Sequence, residues 1–413
     1  MIYKIKFSLA FLMSLIFMVY LSCDETTEFE KGQLYNPEVQ GQLATDTLYA
    51  EVDTTFSLPI TNTRASSRLL IGSYDGFTCR PVLKFLSLPT NAFISDAHIK
   101  FITAGITANN PQPFKINAYR ILDNWTSNTD QIWDNYQQNI DHSTILGSME
   151  VTIDSTDTLI MQMDSVGLNF LNTWANEDSS EFNYGFLLDF DNVDNVNFMK
   201  ELFSNYTTNG PQLVLTYTFP EDTTRKDSVL ATSDAFLIES DFTRAEDRDY
   251  IVSLAPWVTL LQFNTNSLLN KLPDGFIVES ANLQIAIDRS NSLFDPNFGA
   301  YCNILKLTSD INNSTVEIDS SVLASPSYII DIAHLSDDST YVEVNTGSER
   351  KDFAQLFIQD RIDEPQPTKN LYIGFKSNGD FLSYIALLKR EDQDLSKRPR
   401  LILEYWIPPG VRF

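Results

Sequence analysis

The side chains that most often carry enzymatic chemistry are scattered in this chain. The three histidines, His98, His142 and His334, lie far apart without metal-ligand spacing, so the sequence does not indicate zinc or imidazole catalysis. With 55 Asp and Glu residues, paired carboxylates arise by chance throughout, so no pair points to a glycosidase. The sequence has no Gly-x-Ser-x-Gly, phosphate-loop or His-Glu-x-x-His motif. We therefore predict that the protein is not an enzyme.

Four aromatic residues are candidates for ligand binding. Trp125, Trp133 and Tyr136 lie close together in the sequence, and Trp257 follows Ala255-Pro256. An exposed aromatic ring can stack on the C–H-rich face of a sugar while the sugar hydroxyls take hydrogen bonds. The sequence leaves two interpretations open for these residues, a sugar-binding surface or packing in the core.

One acidic segment is a candidate calcium site. Asp189, Asp191 and Asp194 alternate with amides and apolar residues at loop-like spacing. Calcium takes six to eight oxygen ligands, which such a segment can supply in part. Because the segment starts inside a predicted strand, a solvated loop is the simpler interpretation and a structural calcium the alternative.

The amino terminus predicts export and a lipid anchor. Lys4 and Lys6 precede an apolar stretch, Phe7 to Leu21, that is shorter than the roughly 20 residues that span a bilayer. Ser22-Cys23 then resembles the end of a lipobox, although Tyr20 stands where that motif usually has Leu. We predict a cleaved signal peptide and lipidation of Cys23; an ordinary signal peptide with a chance cysteine is the alternative. The acidic run after Cys23 resembles the surface-export signal of Bacteroidetes lipoproteins, which implies the outer face of the outer membrane.

The charge of the chain excludes several partners. The formal net charge is −26, so the protein repels nucleic acids and anionic lipids, and it contacts the membrane only through its anchor. An acidic polysaccharide is also disfavoured unless calcium or a local basic patch intervenes. Cys79 and Cys302 lie in different halves, so we expect both to be buried in strands, without a disulfide framework.

The chain contains an internal repeat. Three segments of the first half match three of the second in apolar pattern. The matched pairs are Pro81–Phe85 with Thr259–Phe263, Ile94–Phe101 with Val278–Ile285, and Pro211–Phe219 with Pro399–Ile407. The first pair is followed in each half by Leu-Pro, the second shares Ala, and the third shares Pro and Tyr.

Strand-like segments dominate both copies. They include Phe114–Ile121, Phe182–Phe190, Tyr328–Ile332 and Leu371–Lys376. Each copy also has one amphipathic helix, carried by Val166, Phe170, Leu171 and Trp174 and by Phe353, Leu356, Phe357 and Ile358. We predict an all-β protein with two tandem jelly-roll-like β-sandwich domains, each with one short helix. The predicted divisions are a signal peptide (1–22), an acidic tether (23–44), domain 1 (45–219), a linker (220–227) and domain 2, a diverged repeat (228–413).

The order of features in the first copy resembles the DNRLRE family, secreted β-sandwich modules related to an alginate-binding carbohydrate-binding family. The matching segments are Val82–Phe85, Ala97–Phe101, Tyr119–Ile121 leading to Trp125, Trp133-Asp134-Asn135, Trp174, Gly185–Leu188 and Pro211–Tyr217. The resemblance implies that Trp125 and Trp133 pack a corner on the sandwich. The second copy has no Trp between Leu260 and Trp406, so a scaffold role is expected there.

These observations favour a non-catalytic, surface-anchored lipoprotein that binds carbohydrate or mediates adhesion, with a polysaccharide as partner. The alternative is a structural or assembly lipoprotein that binds another envelope protein. A polysaccharide-degrading enzyme is a third interpretation, and it would need a groove with facing carboxylates.

Overall fold

The computed structural model describes most of the chain from residue 41 onward. The described residues are 41–57, 63, 66–108, 112–125, 132–152, 157–176, 179–190, 197–220, 223–255, 257–266, 276–293, 301–306, 329–331, 341–344, 359, 370–377 and 382–408. In these ranges no helix has the length and apolarity that crossing a membrane requires. The signal segment, Cys23, Asp191, Asp194 and the second predicted helix, 353–358, lie outside them.

The described residues are mostly β-structure, as predicted. The strands are β1 (Gln42–Ser57), β2 (Arg68–Tyr74), β3 (Phe77–Lys84), β4 (Phe93–Ala108), β5 (Phe114–Ile121), β6 (Ile140–Val151), β7 (Thr158–Met163), β8 (Phe186–Phe190), β9 (Phe198–Phe203), β10 (Gln212–Thr218), β11 (Arg225–Leu230), β12 (Ser233–Ser240), β13 (Arg248–Val252), β14 (Trp257–Asn264), β15 (Ile277–Leu293), β16 (Tyr301–Lys306), β17 (Ile329–Asp331), β18 (Tyr341–Val344), β19 (Asn370–Ser377), β20 (Tyr384–Leu388) and β21 (Arg400–Ile407).

The predicted helix of the first copy is confirmed as α1, Ser165–Ala175. It begins at Asp164, whose side chain accepts hydrogen bonds from the backbone N–H groups of Val166 and Gly167, both at 2.9 Å. Leu171 and Ala175 are buried, so the apolar face of the helix packs on the sheet. Short 3₁₀ turns also occur at Trp133–Asn135, Gln137–Asn139 and Leu395–Lys397.

The strands form two sheets. The first has the order β11-β10-β4-β7-β6-β5-β8-β3-β2-β9, and β12 pairs with β3. An additional pairing of β9 with β4 closes eight of its strands into a ring. The second sheet has the order β13-β20-β15-β21-β1-β14-β19-β16-β17, and β18 pairs with β15. If β9 is matched with β20, β4 with β15 and β10 with β21, the neighbours in the two sheets correspond.

The sequence repeat folds in the same register in both halves. Ala97 lies opposite Leu215 in the first sheet, and the equivalent Ala281 lies opposite Leu403 in the second. The β4–β10 and β15–β21 pairings also have a register irregularity at the same place, just before Tyr217 in one and Tyr405 in the other. The shared apolar pattern therefore specifies both pairing and bulge.

The pairing of β1 differs from the expectation that it begins the first domain. It pairs with β21 and then with β14, both in the second sheet. The segment predicted as a linker instead runs into β11, and β11 and β12 complete the first sheet. β1 and the β11–β12 segment occupy equivalent positions in the two sheets. Ala50 of β1 donates its N–H to Pro399 O, and Ala231 between β11 and β12 donates its N–H to the equivalent Pro211 O, both at 2.9 Å.

The larger of the apolar cores joins the two structural halves, by which we mean the first sheet with its helix and the second sheet including β1. It contains most buried residues of the first sheet together with Tyr250, Val252, Leu254 and Ala386 from the second half. Phe242 stacks on Phe77 at 5.1 Å between ring centroids, at the same junction. A second core lies within the second half alone.

Candidate functional site

The three aromatic candidates in the first half are buried. Trp125, Trp133 and Tyr136 belong to a small core with residues of β3, β5, β8 and β12. The Trp125 indole N–H donates to Tyr184 O at 2.7 Å. The faces of these three rings therefore contact the protein itself, which is the placement that the core interpretation expects.

A buried arginine brings two predicted site residues together. Arg80 Nε lies 2.8 Å from Asp189 Oδ1, and its guanidinium lies 4.1 Å from the Trp133 ring centroid. Arg80 Nη1 also contacts Glu239 Oε2 at 2.8 Å. Asp189 is thus the partner of a buried cation, and the described residues contain no group of three or more acidic, His or Cys side chains placed to hold a metal.

Trp257 lies at the junction of the two halves. It is partly buried, its ring lies 5.9 Å from that of Phe242, and the Arg244 guanidinium lies 4.9 Å from its centroid. The Trp257 ring therefore packs against residues of the protein itself at this junction.

A group of exposed and partly buried side chains lies where β3 and β5 end and β8 begins, beside the Tyr184 carbonyl that Trp125 binds. We call Lys84, Asn124, Phe182 and Tyr184 the aromatic platform. Phe182 is 69% exposed and stacks on Tyr184, with centroids 5.8 Å apart and planes 23° from parallel. Tyr184 is itself partly buried, so the ring that the platform presents to solvent is mainly that of Phe182.

The polar groups of the platform are held next to its rings. Lys84 Nζ lies 5.8 Å from the Tyr184 ring centroid and donates to Asn124 Oδ1 at 3.3 Å. Partial burial lowers the pKa of Lys84. An ammonium and an amide at the edge of an aromatic pair can hydrogen-bond the hydroxyls of a ligand that stacks on the rings.

The loop that carries Phe182 and Tyr184 is fixed by close packing. Gly185 has φ +92°, and a Cβ there would lie 2.0 Å from Leu83 O. Asn183 Nδ2 donates to Phe85 O at 2.7 Å, and Trp125 holds the carbonyl of Tyr184. The buried Trp125 thus supports the platform without contacting solvent.

The sequence did not reveal the platform because its residues look like a strand. Phe182 and Tyr184 alternate with polar residues, so the segment was predicted as part of a strand from Phe182 to Phe190. The strand begins only at Phe186, and the preceding residues form the loop. Gly185 before Phe186 was the one available signal of a break.

A charged cleft of about 680 Å³ lies in the second half. Its lining residues are Asp53, Glu246, Asp247, Arg248, Lys389, Arg390, Glu391, Asp392 and Gln393. The cations there are already engaged: Arg248 Nε lies 2.9 Å from Asp288, Lys389 donates to Glu246 O at 2.8 Å, and Arg390 Nε lies 2.8 Å from Glu391.

Thr55 and Asp249 lie on β1 and β13, the strands that carry the cleft residues Asp53 and Arg248, and both differ from their counterparts in the first sheet. Strand pairing aligns Thr55 with Phe236 and Asp249 with Leu69, so a polar pair replaces two apolar residues. Thr55 Oγ1 donates to Asp249 Oδ1 at 3.0 Å. Burial, together with the nearby charge of Asp53, raises the pKa of Asp249 to about 6.

No protein-family model and no curated protein matches this chain. Among solved structures, one of infectious bursal disease virus, Gt strain, aligns over 90% of this chain and 78% of the viral chain, with 10% identity and a TM-score of 0.08. A similarity at that level carries no argument about fold or function.

Proposed function

We propose that this chain is a non-catalytic surface lipoprotein that binds carbohydrate, or mediates adhesion to it, through the aromatic platform. The observation that carries the proposal is the exposed ring of Phe182, which stacks on the partly buried Tyr184 beside Lys84 and Asn124. Stacking plus edge hydrogen bonds is the way proteins recognise sugar rings. The ligand is a polysaccharide, and no catalytic step is assigned.

The proposal includes anchoring through Cys23 after removal of residues 1–22, with the protein on the outer face of the outer membrane. It also includes two jelly-roll-like sandwich domains of the DNRLRE type. The shared strand order and register of the two halves support that architecture. In this proposal the second sandwich takes β1 from the distant amino-terminal part of the chain, whereas the first is completed by β11 and β12, which directly follow β10.

One observation favours a protein ligand as the second candidate. Leu86 and Leu122 lie just after the ends of β3 and β5, two residues in sequence from Lys84 and Asn124 of the platform, and are about half exposed. Exposed apolar residues beside aromatic rings can also form the centre of a protein interface. The alternative function is therefore an assembly lipoprotein that uses the same surface to bind another envelope protein.

The test is retention of the full chain on affinity gels made with different polysaccharides. The proposal predicts retention by at least one gel and its loss in the variants Phe182→Ala and Tyr184→Ala. Phe93→Ala is the matched control, because Phe93 is a similarly exposed phenylalanine, 64%, outside the platform. Retention by no gel, or equal loss in all three variants, would contradict the proposal.

The variants Leu86→Ser and Leu122→Ser separate the two candidates. If carbohydrate is the ligand, both variants stay on the gel while the Phe182 variant is lost. If the surface binds protein, no gel retains the wild type, and the leucine variants lose an envelope partner that is captured by cross-linking on cells.

A further inference from the structure

β1 fills a gap between two strands of the second sheet. Gln42–Tyr49 pairs antiparallel with β21, and Ala50–Ser57 pairs antiparallel with β14 apart from an irregularity near Glu51. Leu48 and Ala50 are buried in the core of the second half. We call the gap between β14 and β21 the β1 slot. Without β1, its edges would expose unpaired backbone groups and this core.

Residues around the slot also contact particular side chains of β1. Asp53 Oδ2 accepts a hydrogen bond from the Arg390 backbone N–H at 2.6 Å. Thr55 Oγ1 donates to the buried Asp249, and Asn264 Nδ2 donates to Glu51 Oε1 at 3.0 Å. The slot therefore recognises the sequence of β1 as well as its backbone.

The first half does not use β1 as a strand. In the described residues β1 pairs only with β14 and β21, whereas β11 and β12 complete the first sheet. β11 and β12 follow β10 in the chain, so they stay with the first half wherever β1 goes. β1 connects to β2 only through residues 58–67. Within that connection Thr63 is buried and donates to Phe236 O of β12 at 2.8 Å, so β1 would have to move about the chain between Ser57 and Thr63. Such a movement would leave the first sheet paired and open the slot.

We propose that the β1 slot of one chain accepts β1 from a second copy of the same chain, which links the copies by strand exchange. The contacts made between copies are those made within one chain, so the exchange costs mainly the entropy of association. Anchoring on one membrane raises the effective concentration of copies and offsets that cost. The exchange itself does not depend on the proposed carbohydrate binding.

The test uses cysteines placed on opposite sides of the slot in separate chains. Thr47 lies directly opposite Ile402, and both side chains are partly exposed. Full chains carrying Thr47→Cys are mixed with full chains carrying Ile402→Cys, incubated and oxidised, with Cys23→Ser and Cys302→Ala in every chain. The proposal predicts a disulfide-linked pair of chains on a non-reducing gel.

Two controls decide the outcome. The double variant Thr47→Cys with Ile402→Cys should close a disulfide within one chain, which confirms that the variants fold with β1 in place. Val214 is the first-half equivalent of Ile402 and pairs with β11, so Thr47→Cys mixed with Val214→Cys should give no linked pair. The proposal is overturned if the double variant closes but the Ile402→Cys mixture links no more chains than the Val214→Cys mixture.

Discussion

Single residues distinguish the two copies of the repeat. Arg80 and its partners lie in the first half, at a position where strand pairing places the apolar Val258 in the second. Asp249 and Thr55 lie in the second half, where the first has Leu69 and Phe236. Asp53 and Asp234, in contrast, occupy the same position in both copies, and each accepts a backbone N–H at 2.6 Å. Asp53 and Asp234 thus have the same structural role, each in its own copy of the repeat.

Asp234 makes the stability of the protein depend on pH. Burial raises the pKa of Asp234 to about 7, well above the ordinary range of an exposed aspartate. A raised acid pKa means that the folded state holds the proton more tightly, so the free energy of unfolding falls as pH rises from about 4 to 7. The variant Asp234→Asn keeps an acceptor for the Asn205 N–H and carries no charge. We expect it to be more stable than the wild type by about 1–3 kcal/mol at pH 8.

Urea unfolding of wild type and Asp234→Asn at several pH values measures this effect. The difference in unfolding free energy should be small at pH 4 and should grow up to pH 8. A difference that stays constant with pH would contradict the account.

Arg80 is expected to be essential for the stability of the first half. The variant Arg80→Met leaves Asp189 buried without its cation, which costs about 3–5 kcal/mol. Adding Asp189→Asn should recover part of that loss, because the remaining buried group is neutral. Urea unfolding measures both variants, and an unchanged midpoint for Arg80→Met would show that the ion pair is not needed.

At the scale of elements, the sequence analysis names about half of the described strands, but it does not say which sheet β1 and β11 join. The alternation of apolar residues gave β5 its observed bounds, and the repeated Pro-to-Tyr segments became β10 and β21 with matching partners. Local pattern does not say which sheet a strand joins, because pairing is a long-range property. For this reason the sequence places β1 in the first domain and the start of β11 in a linker, whereas the pairing puts β1 in the second sheet and β11 in the first.

Two leucines of β1 test its placement in the second core. Leu48 is 7% exposed, whereas Leu43 on the same strand is 62% exposed. We expect Leu48→Ala to lower the unfolding free energy by about 2–3 kcal/mol, and Leu43→Ala to change it by less than about 0.5 kcal/mol. Thermal unfolding of both variants measures the difference. Equal, small effects would mean that β1 is a tether outside the core.

The loop before β8 depends on Gly185. An alanine there would meet Leu83 O and a backbone conformation that side chains disfavour. We expect Gly185→Ala to cost about 1–3 kcal/mol of stability and to weaken ligand binding by displacing Phe182 and Tyr184. Unfolding and gel retention are both measured, and unchanged retention would show that the loop does not position the platform.

At the scale of the whole molecule, strand pairing puts the segment that follows the proposed anchor in the second sheet, whereas the platform belongs to the first. Residues 23–41 lead into β1, and Gln42 pairs with Ile407 at the end of β21. In the proposed arrangement the lipid anchor therefore joins the second half, while the platform lies on the first. The formal net charge of −26 would keep the proposed surface lipoprotein away from anionic lipid.

The candidate site was less predictable than the fold. The sequence pointed to Trp125, and the structure places it beneath the platform as its support. Which aromatic rings reach solvent depends on how the ends of β3, β5 and β8 meet, and no local pattern encodes that meeting. Phe182 and Tyr184 were therefore visible only as members of a predicted strand.

The central claim is that the platform binds carbohydrate, and calorimetric titration of the full chain tests it most directly. The titrant is the polysaccharide that the affinity gels retain, and the chains are wild type, Phe182→Ala and Phe93→Ala. The account predicts a loss of about tenfold in affinity for Phe182→Ala, equivalent to about 1.4 kcal/mol, and wild-type affinity for Phe93→Ala. Wild-type affinity in the Phe182→Ala variant would contradict it.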